Sequence, residues 1–285
     1  MNVSSLQGKT ALVTGAGSGI GQATALALAR RGARLALCDV NEAGLAETEA
    51  KARAHGCDVL VQRVDVSKRE EMRAFSDTVH RWVDAVDLLV NNAGVGLGAM
   101  FLDSTLEDWD WIVGVNLMGV VHGCHFFLPP MVKRGSGGHV VNVSSAAGFF
   151  ATPQLAAYCT TKFGVLGLTE ALREELAPHG IGVTAVCPGL INTAITRSSV
   201  LRGAEATPEA RERIVKIYER RNYGPERVAE NILRAVQRNR TVAPITPEAW
   251  AMYFIKRISP RLAWFIARKL GEQAEGSAGA PGSRQ

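Results

Sequence analysis

The stretch "TALVTGAGSGIG", residues 10–21, decides how the rest of the chain is read. Five residues of β-forming, largely apolar character run into four glycines, of which 15, 19 and 21 are spaced G-x-x-x-G-x-G, and an alanine-rich helical pattern follows. A buried strand, a sharp turn and a helix are implied, with glycines 15, 19 and 21 letting the backbone turn tightly and approach a ligand. The free N–H groups at such a helix start are suited to phosphate oxygens. No G-K-[ST] closes the turn, the triplet Gly8–Thr10 lying before the strand, so a loop for nucleoside triphosphates is disfavoured, and a plain tight connection stays open at this point.

Working outward, short apolar runs alternate with helix-length segments. "RLALCDV" (34–40), "DVLVQRVDV" (58–66), "VDLLVNNAG" (86–94), "GHVVNVSS" (138–145) and "GVTAVCPG" (182–189) read as further strands, with "TVAPI" (241–245) a weaker seventh. Their continuous hydrophobicity suits strands buried on both faces of a parallel sheet. Helical segments at 19–32, 41–55, 67–82, 105–131, 156–178 and 224–238 separate them. The fold class is therefore α/β, a three-layer doubly wound (Rossmann) parallel sheet of about seven strands with helices on both faces. Residues 1–245 are expected to form one domain that includes a substrate loop at 190–223. An amphipathic helical extension at 246–270 and a small, polar, disordered tail at 271–285 follow.

With 47% hydrophobic and 21% charged residues, the 285-residue chain has an ordinary globular composition. Five dispersed cysteines without a C-x-x-C pair argue for reduced thiols in a cytoplasmic setting, with no disulfide framework and no metal site. No signal peptide is read at the start, and residues 111–130, the most membrane-like stretch, read as a buried helix. The net charge of +5 is concentrated in residues 246–270, where five cations face Glu248, so no nucleic-acid role is expected.

The second strand ends in Asp39, about 20 residues beyond the glycine turn, where a carboxylate can accept hydrogen bonds from adenosine ribose hydroxyls and repel a 2′-phosphate. NAD is therefore preferred over NADP, although an Asp capping the next helix remains the alternative. His122 and His125, in the apolar helix, read as core or interface residues.

Taken together, "TGAGSGIG", Asp39, "DV" (65–66), "NNAG" (91–94), "VN" (115–116), "VNVSS" (141–145), "YCTTK" (158–162) and "PG" (188–189) resemble the short-chain dehydrogenase/reductase superfamily, in its main single-domain branch. The resemblance implies a catalytic set of Asn116, Ser145, Tyr158 and Lys162. Tyr158 would be the general acid/base, while Lys162, one helix turn on, favours its phenolate and reaches the nicotinamide ribose. Ser145, thirteen residues upstream of Tyr158, would orient the substrate, with Ser144 structural. Asn116 would mark a freed backbone carbonyl that holds a water, with a buried amide in a helix kink as its alternative. Cys159, Thr160 and Thr161 are read as spacers.

The cofactor set implied in the same way is Gly15, Ser18, Gly19, Ile20 and Gly21 at the pyrophosphate, Asp39 at the ribose, and Asp65 and Val66 at adenine. Asn92, Ala93 and Gly94 would run along the ribose, and Pro188, Gly189, Ile191 and Thr193 would sit near the nicotinamide, with Tyr158 and Lys162 closing the site. Substrate candidates are Ser145, Phe149, Gln154, Tyr158 and Leu190, in a pocket that favours apolar compounds.

The expected activity is NAD-dependent interconversion of a lipophilic secondary alcohol and its ketone. An NADPH-dependent carbonyl reductase and a non-catalytic dinucleotide-binding or lipid-surface protein are the alternatives. A homodimer or homotetramer through helices 105–131 and 156–178 is also implied. The apolar stripe Trp250, Phe254, Ile258, Leu262, Ile266 and Leu270, split at Pro260, would cover the cleft, pack on a neighbouring subunit or rest on anionic lipid as a peripheral membrane contact.

Overall fold

The computed structural model describes residues 1–193, 195–203 and 206–276. Seven strands form one parallel sheet: β1 (Thr10–Thr14), β2 (Arg34–Asp39), β3 (Val59–Arg63), β4 (Leu88–Asn91), β6 (Gly138–Val143), β7 (Ile181–Cys187) and β9 (Val242–Pro244). Their order is β3-β2-β1-β4-β6-β7-β9, every neighbouring pair parallel. The doubly wound seven-stranded sheet expected from the sequence is thus present.

Successive side chains point to opposite faces, and here both faces are covered. Val13, Leu35, Leu37, Val90 and Val141 pack with α1 (Gly19–Ala29) and α9 (Pro225–Gln237) on one side. Leu12, Ala36, Leu89 and Val140 pack on the other with Phe75 of α3 (Arg69–Trp82), Phe127 and Met131 of α5 (Gly119–Arg134) and Val165 of α6 (Ala156–Leu176). α2 (Glu42–Arg53) follows β2, capped by Asn41, whose side chain accepts from Gly44 N–H.

The expected helix at 105–131 is α4 (Leu106–Val113), a π-turn at Gly114–Met118 and α5 in continuous succession. It is long and apolar enough to cross a membrane, yet Ile112, Val120, Phe127 and Met131 are buried in the protein. A core helix passes the same length test.

Two elements lie where the sequence suggested loops. Leu97–Gly98 (β5) pairs in parallel with Val200–Leu201 (β8), and the 190–223 segment carries α7 (Ile195–Ser198) and α8 (Pro208–Arg221). Helix α8 begins with Thr207, whose side chain accepts from Ala210 N–H, followed by Pro208, and ends at Asn222 in the left-handed conformation. These are ordinary start and stop signals.

The extension forms α10 (Pro247–Ile258) and α11 (Pro260–Gly276). Thr246 caps the first, and Ser259 Oγ accepts from Leu262 N–H at the start of the second. Helix α11 continues through residues 271–276, which the sequence assigned to a disordered tail. Their Glu, Gln and Ala content carries a helix onward. Residues 277–285, the remainder of that tail, lie outside the described residues.

Candidate functional site

In open parallel sheets the order reverses at one point, leaving a crevice at the carboxyl ends of the strands. Here the chain leaves β1 for β2 on one side, and β4 lies on the other. A cleft of about 820 Å³ opens there.

One half of it is made from main chain. Gly15 has φ of +66°, and a Cβ there would lie 2.7 Å from Ala93 Cα. A Cβ on Gly21 would collide with the Gly15 carbonyl and Asn92 Nδ2. Asn92 Nδ2 donates to the carbonyls of Thr14 (3.0 Å) and Gly15 (3.1 Å), while Thr14 Oγ1 accepts from the N–H groups of Asn92 and Ala93. The end of β4 thus braces the turn. Ser18, the residue before α1, makes no side-chain cap among the described residues, and Ser18, Gly19 and Ile20 line the cleft at the helix start. Asp39, at the tip of β2, accepts from Gly17 N–H (2.7 Å) and Asn41 N–H (2.9 Å), and its carboxylate also borders the cleft. Asp65, Val66 and Ser67 form the far wall, where Asp65 accepts from both Ser67 N–H and Ser67 Oγ.

This half fits a dinucleotide: an uncapped helix start, a cradle that side chains would fill, and a carboxylate facing the same space. Gly94, Pro188, Gly189, Ile191 and Thr193 line the cleft beyond it, toward β6 and β7; of the expected cofactor set, Gly21 alone is absent from the wall, lying under the turn.

The second half is centred on α6. Tyr158 and Lys162 project from one face into the cleft, with Lys162 Nζ 5.6 Å from the Tyr158 ring centroid. Lys162 is buried and donates to the Val143 carbonyl (3.1 Å). Burial lowers its pKa to about 8. Burial pushes Tyr158 up to about 12, and a hydrogen bond with Ser145 works in the opposite direction. Ser145 follows β6 and caps the 3₁₀ turn Ala146–Gly148, accepting from Ala147 N–H (3.1 Å). Ser144, in contrast, is buried and donates to the Lys162 carbonyl (2.8 Å), a structural bond.

Asn116 sits in the π-turn, fully buried. Its Oδ1 accepts from Val95 N–H (2.8 Å) and its Nδ2 donates to the Val95 carbonyl (2.9 Å), so the side chain clamps the 94–95 segment. The same Nδ2 reaches Thr161 Oγ1 (3.4 Å), which donates to the Tyr158 carbonyl (2.8 Å). Thr161 is thus more than a spacer: it joins the π-turn to the helix that carries Tyr158. A buried polar chain at that spot was not legible from a residue type common in helices.

On the substrate side, Gln154 and Leu190 line the cleft, and Gln154 does so from a left-handed backbone, φ +66°. Phe149 does not. It is buried against Tyr253 of α10, ring centroids 5.3 Å apart, and the next residue, Phe150, faces the cleft instead. The correction follows from the extension, whose aromatic side chain takes up the face of the 3₁₀ turn that would otherwise open to substrate.

Trp111, Ile214, Ile217, Tyr218 and Met252 also line the cleft; the middle three lie in the expected 190–223 substrate segment without having been singled out, and Trp111 and Met252 were missed. Ile214, Ile217 and Tyr218 stand at i, i+3, i+4, a signal that was present in "ERIVKIYER". Two ion pairs hold this wall. Arg202 forks onto Asp108 through Nε (3.0 Å) and a second nitrogen (2.8 Å), and Arg221 pairs with Glu248 (2.9 Å), which also accepts from Leu190 N–H. Arg202 holds the Asp108 carboxyl below its usual range.

A doubly wound sheet with this turn and this tyrosine–lysine helix defines the class of dinucleotide-dependent α/β proteins. Residues 9–202 match the short chain dehydrogenase family, and the chain belongs to it. "Probable oxidoreductase EphD" of Mycobacterium bovis is 41% identical over 260 residues, 90% of this chain and 44% of that protein. The chain thus spans under half the length of that relative. A short chain dehydrogenase/reductase from Burkholderia phymatum, solved in complex with NAD, superposes with a TM-score of 0.81 at 33% identity, over 92% of this chain and 96% of the other. An actinorhodin polyketide ketoreductase variant with NADPH gives 0.73 at 32% identity, over 83% and 95%.

Proposed function

We propose that the protein is an NAD-dependent oxidoreductase that interconverts a lipophilic secondary alcohol and its ketone. The observation that carries this reading is the placement of Tyr158 and Lys162 together, beside Ser145, at the end of a cleft whose other end is the glycine turn. A bound nicotinamide would supply the hydride acceptor or donor. Tyr158 would take the hydroxyl proton in oxidation and give it to the carbonyl oxygen in reduction. Ser145 would hold that oxygen by hydrogen bonding. Lys162 is an ammonium below about pH 8 and favours the phenolate through its charge. Asn116 serves as a positioning residue through Val95 and Thr161, and the carbonyl released by its π-turn is our candidate for holding a relay water.

The cofactor residues follow the sequence assignment: Gly15, Ser18, Gly19 and Ile20 at the pyrophosphate with Gly21 beneath, Asp39 at the adenosine ribose, Asp65 and Val66 at adenine, Asn92, Ala93 and Gly94 along the chain of the cofactor, and Pro188, Gly189, Ile191 and Thr193 near the nicotinamide. Preference for NAD rests on Asp39, whose negative charge would face a 2′-phosphate. A lipophilic substrate is supported by Leu97, Trp111, Phe150, Leu190, Ile217 and Met252 in the cleft wall. We assign residues 1–245 to one catalytic unit and the inner face of α10 to its wall. Cytoplasmic placement is our reading of five buried free thiols, and a homo-oligomer through α4–α5 and α6 is our reading of exposed Phe163.

The second reading, an NADPH-dependent carbonyl reductase, is favoured by the NADPH-bound ketoreductase of similar fold. A screen of alcohols and ketones followed by reduced-nicotinamide absorbance, with both cofactors, separates the two. Faster turnover with NAD on apolar alcohols is expected, and Asp39→Ala should raise NADP use. Equal wild-type rates with both cofactors would overturn the NAD preference, and turnover confined to small polar alcohols would overturn the lipophilic assignment.

A further inference from the structure

The inner side of the α10–α11 hairpin is accounted for. Ala249, Ala263, Tyr253 and Met252 pack toward the 3₁₀ turn, β7 and the cleft. The outer side is not. Phe254, Ile258, Leu262, Trp264 and Phe265 are exposed there, Ile258 at 81% and Trp264 at 64%. Lone exposed apolar residues are ordinary, but five large ones within twelve residues of one hairpin form a patch that needs an occupant.

The charges around the patch select that occupant. Arg257, Arg261, Arg268 and Lys269 are exposed on the same two helices, and Lys256 lies over the Trp264 ring at 5.7 Å. Of the hairpin's three carboxylates, Glu248 is drawn inward onto Arg221 and Leu190, and Glu272 and Glu275 stand in the last turns of α11, so five cations against these two leave the hairpin net positive. A second copy of this face would bring like charges together across a twofold axis, because such an interface repeats the same patch on both sides. A nucleic acid would satisfy the cations but leave Ile258 and Leu262 in water. An anionic bilayer surface satisfies both: acyl chains and the interfacial zone take the aliphatic and aromatic side chains, and lipid phosphates meet Arg and Lys.

We propose that the outer face of the α10–α11 hairpin docks on anionic lipid, with Phe254, Ile258, Leu262, Trp264 and Phe265 entering the interface and the flanking cations holding the headgroups. The inner face of the same hairpin lends Met252 to the cleft, so docking brings the cleft wall to a surface where lipophilic compounds concentrate. The docking itself does not depend on the proposed activity.

Co-sedimentation of the full chain with vesicles of equimolar phosphatidylcholine and phosphatidylglycerol, against phosphatidylcholine alone, tests it. Binding to the anionic vesicles is expected, with loss at high salt and a blue shift of tryptophan emission that disappears in Trp264→Phe. Arg257→Glu with Arg261→Glu should weaken partitioning by about 25-fold or more, at about fivefold for each cation removed. Ile258→Asp, at a position already in water, should abolish binding while melting temperature and dinucleotide binding stay at wild-type values. Equal partitioning to both vesicle types, or no binding to either, overturns the proposal. So does a self-association that Ile258→Asp abolishes in a chain that ignores vesicles, since a second copy would then be the occupant.

Discussion

The two halves of the cleft are held by different kinds of bond. Around the glycine turn, each bond has one backbone partner: the Asn92 amide holds the carbonyls of Thr14 and Gly15, and the Thr14 hydroxyl holds the N–H groups of Asn92 and Ala93, at the ends of adjacent strands. Around the substrate space, the frame is side chain to side chain: Arg202 reaches Asp108, and Arg221 reaches Glu248. A main-chain cradle allows few substitutions and takes one ligand shape. A wall of helices latched by ion pairs can be re-lined without disturbing the sheet, which is where variation in substrate belongs.

The largest expected effect lies where the halves meet. Tyr158→Phe removes the proton carrier while keeping the ring that packs near Leu97 and Ala157. Turnover should fall by about 10²–10⁴-fold, with melting temperature and dinucleotide affinity unchanged. Steady-state rates combined with cofactor titration check this; substantial residual turnover would remove Tyr158 from its role.

Gly21→Ala tests the main-chain half. Helix propensity alone would make it stabilising by about 0.5–1 kcal/mol. The new methyl meets the Gly15 carbonyl and Asn92 Nδ2, however, so the turn must shift. Overpacking of that kind costs about 1–3 kcal/mol, which should appear as a roughly tenfold to hundredfold weaker dinucleotide affinity. Fluorescence titration measures it, and an unchanged affinity would mean that the turn is more yielding than its geometry indicates.

The pH profile reads the junction itself. Tyr158 is pushed up to about 12 by burial, so alcohol oxidation, which needs the phenolate, should quicken as pH rises. Carbonyl reduction needs the phenol proton and the Lys162 charge. It should hold to about pH 8, where Lys162 begins to lose its proton, and decline by up to about tenfold per unit above it. Profiles of kcat/KM in both directions check the signs; an oxidation that is fastest in acid would contradict them.

The same contrast explains what was legible in the sequence. Strands β1 to β4, the glycine turn, Asp39 and the Tyr158–Lys162 pair are encoded by residues close in the chain, with period and spacing that have few other physical readings. The π-turn at Asn116 was legible as an interruption of an apolar helix, but its clamp on Val95 was not, because the partners are 21 residues apart and one is backbone. Phe149 and Phe150 are indistinguishable as sequence; which one faces the cleft depends on Tyr253, about a hundred residues later. Helix α8 had its capping signals in plain view, yet the side of the cleft that Tyr218 would join could not follow from them.

The smallest effect, and the sharpest separation of the halves, is expected from Arg202→Ala. Asp108 is held below its usual carboxylate range first by the hydrogen bonds from Arg202, with the Thr105 cap adding to them, and its side chain is 6% exposed. Loss of Arg202 leaves the carboxylate with Thr105, which accepts from Asp108 N–H and donates its own N–H in return, so the start of α4 keeps its capping box. What is lost is the tie between α4 and β8, which carries Leu201 to the cleft. Arg202 is partly exposed, so water screens the tie, and KM for a bulky substrate should rise only about fivefold. The dinucleotide affinity, set by a cradle that shares no bond with this pair, should not move. Lys at position 202 would restore the charge but not the fork, and should recover less than half of the loss in free energy. A parallel loss of cofactor affinity in Arg202→Ala would show that the two halves are mechanically coupled after all, through the helix α4–π-turn–α5 that holds Asn116 against Val95 or through the 92–98 segment, whose Gly98 carbonyl accepts from Arg202 N–H.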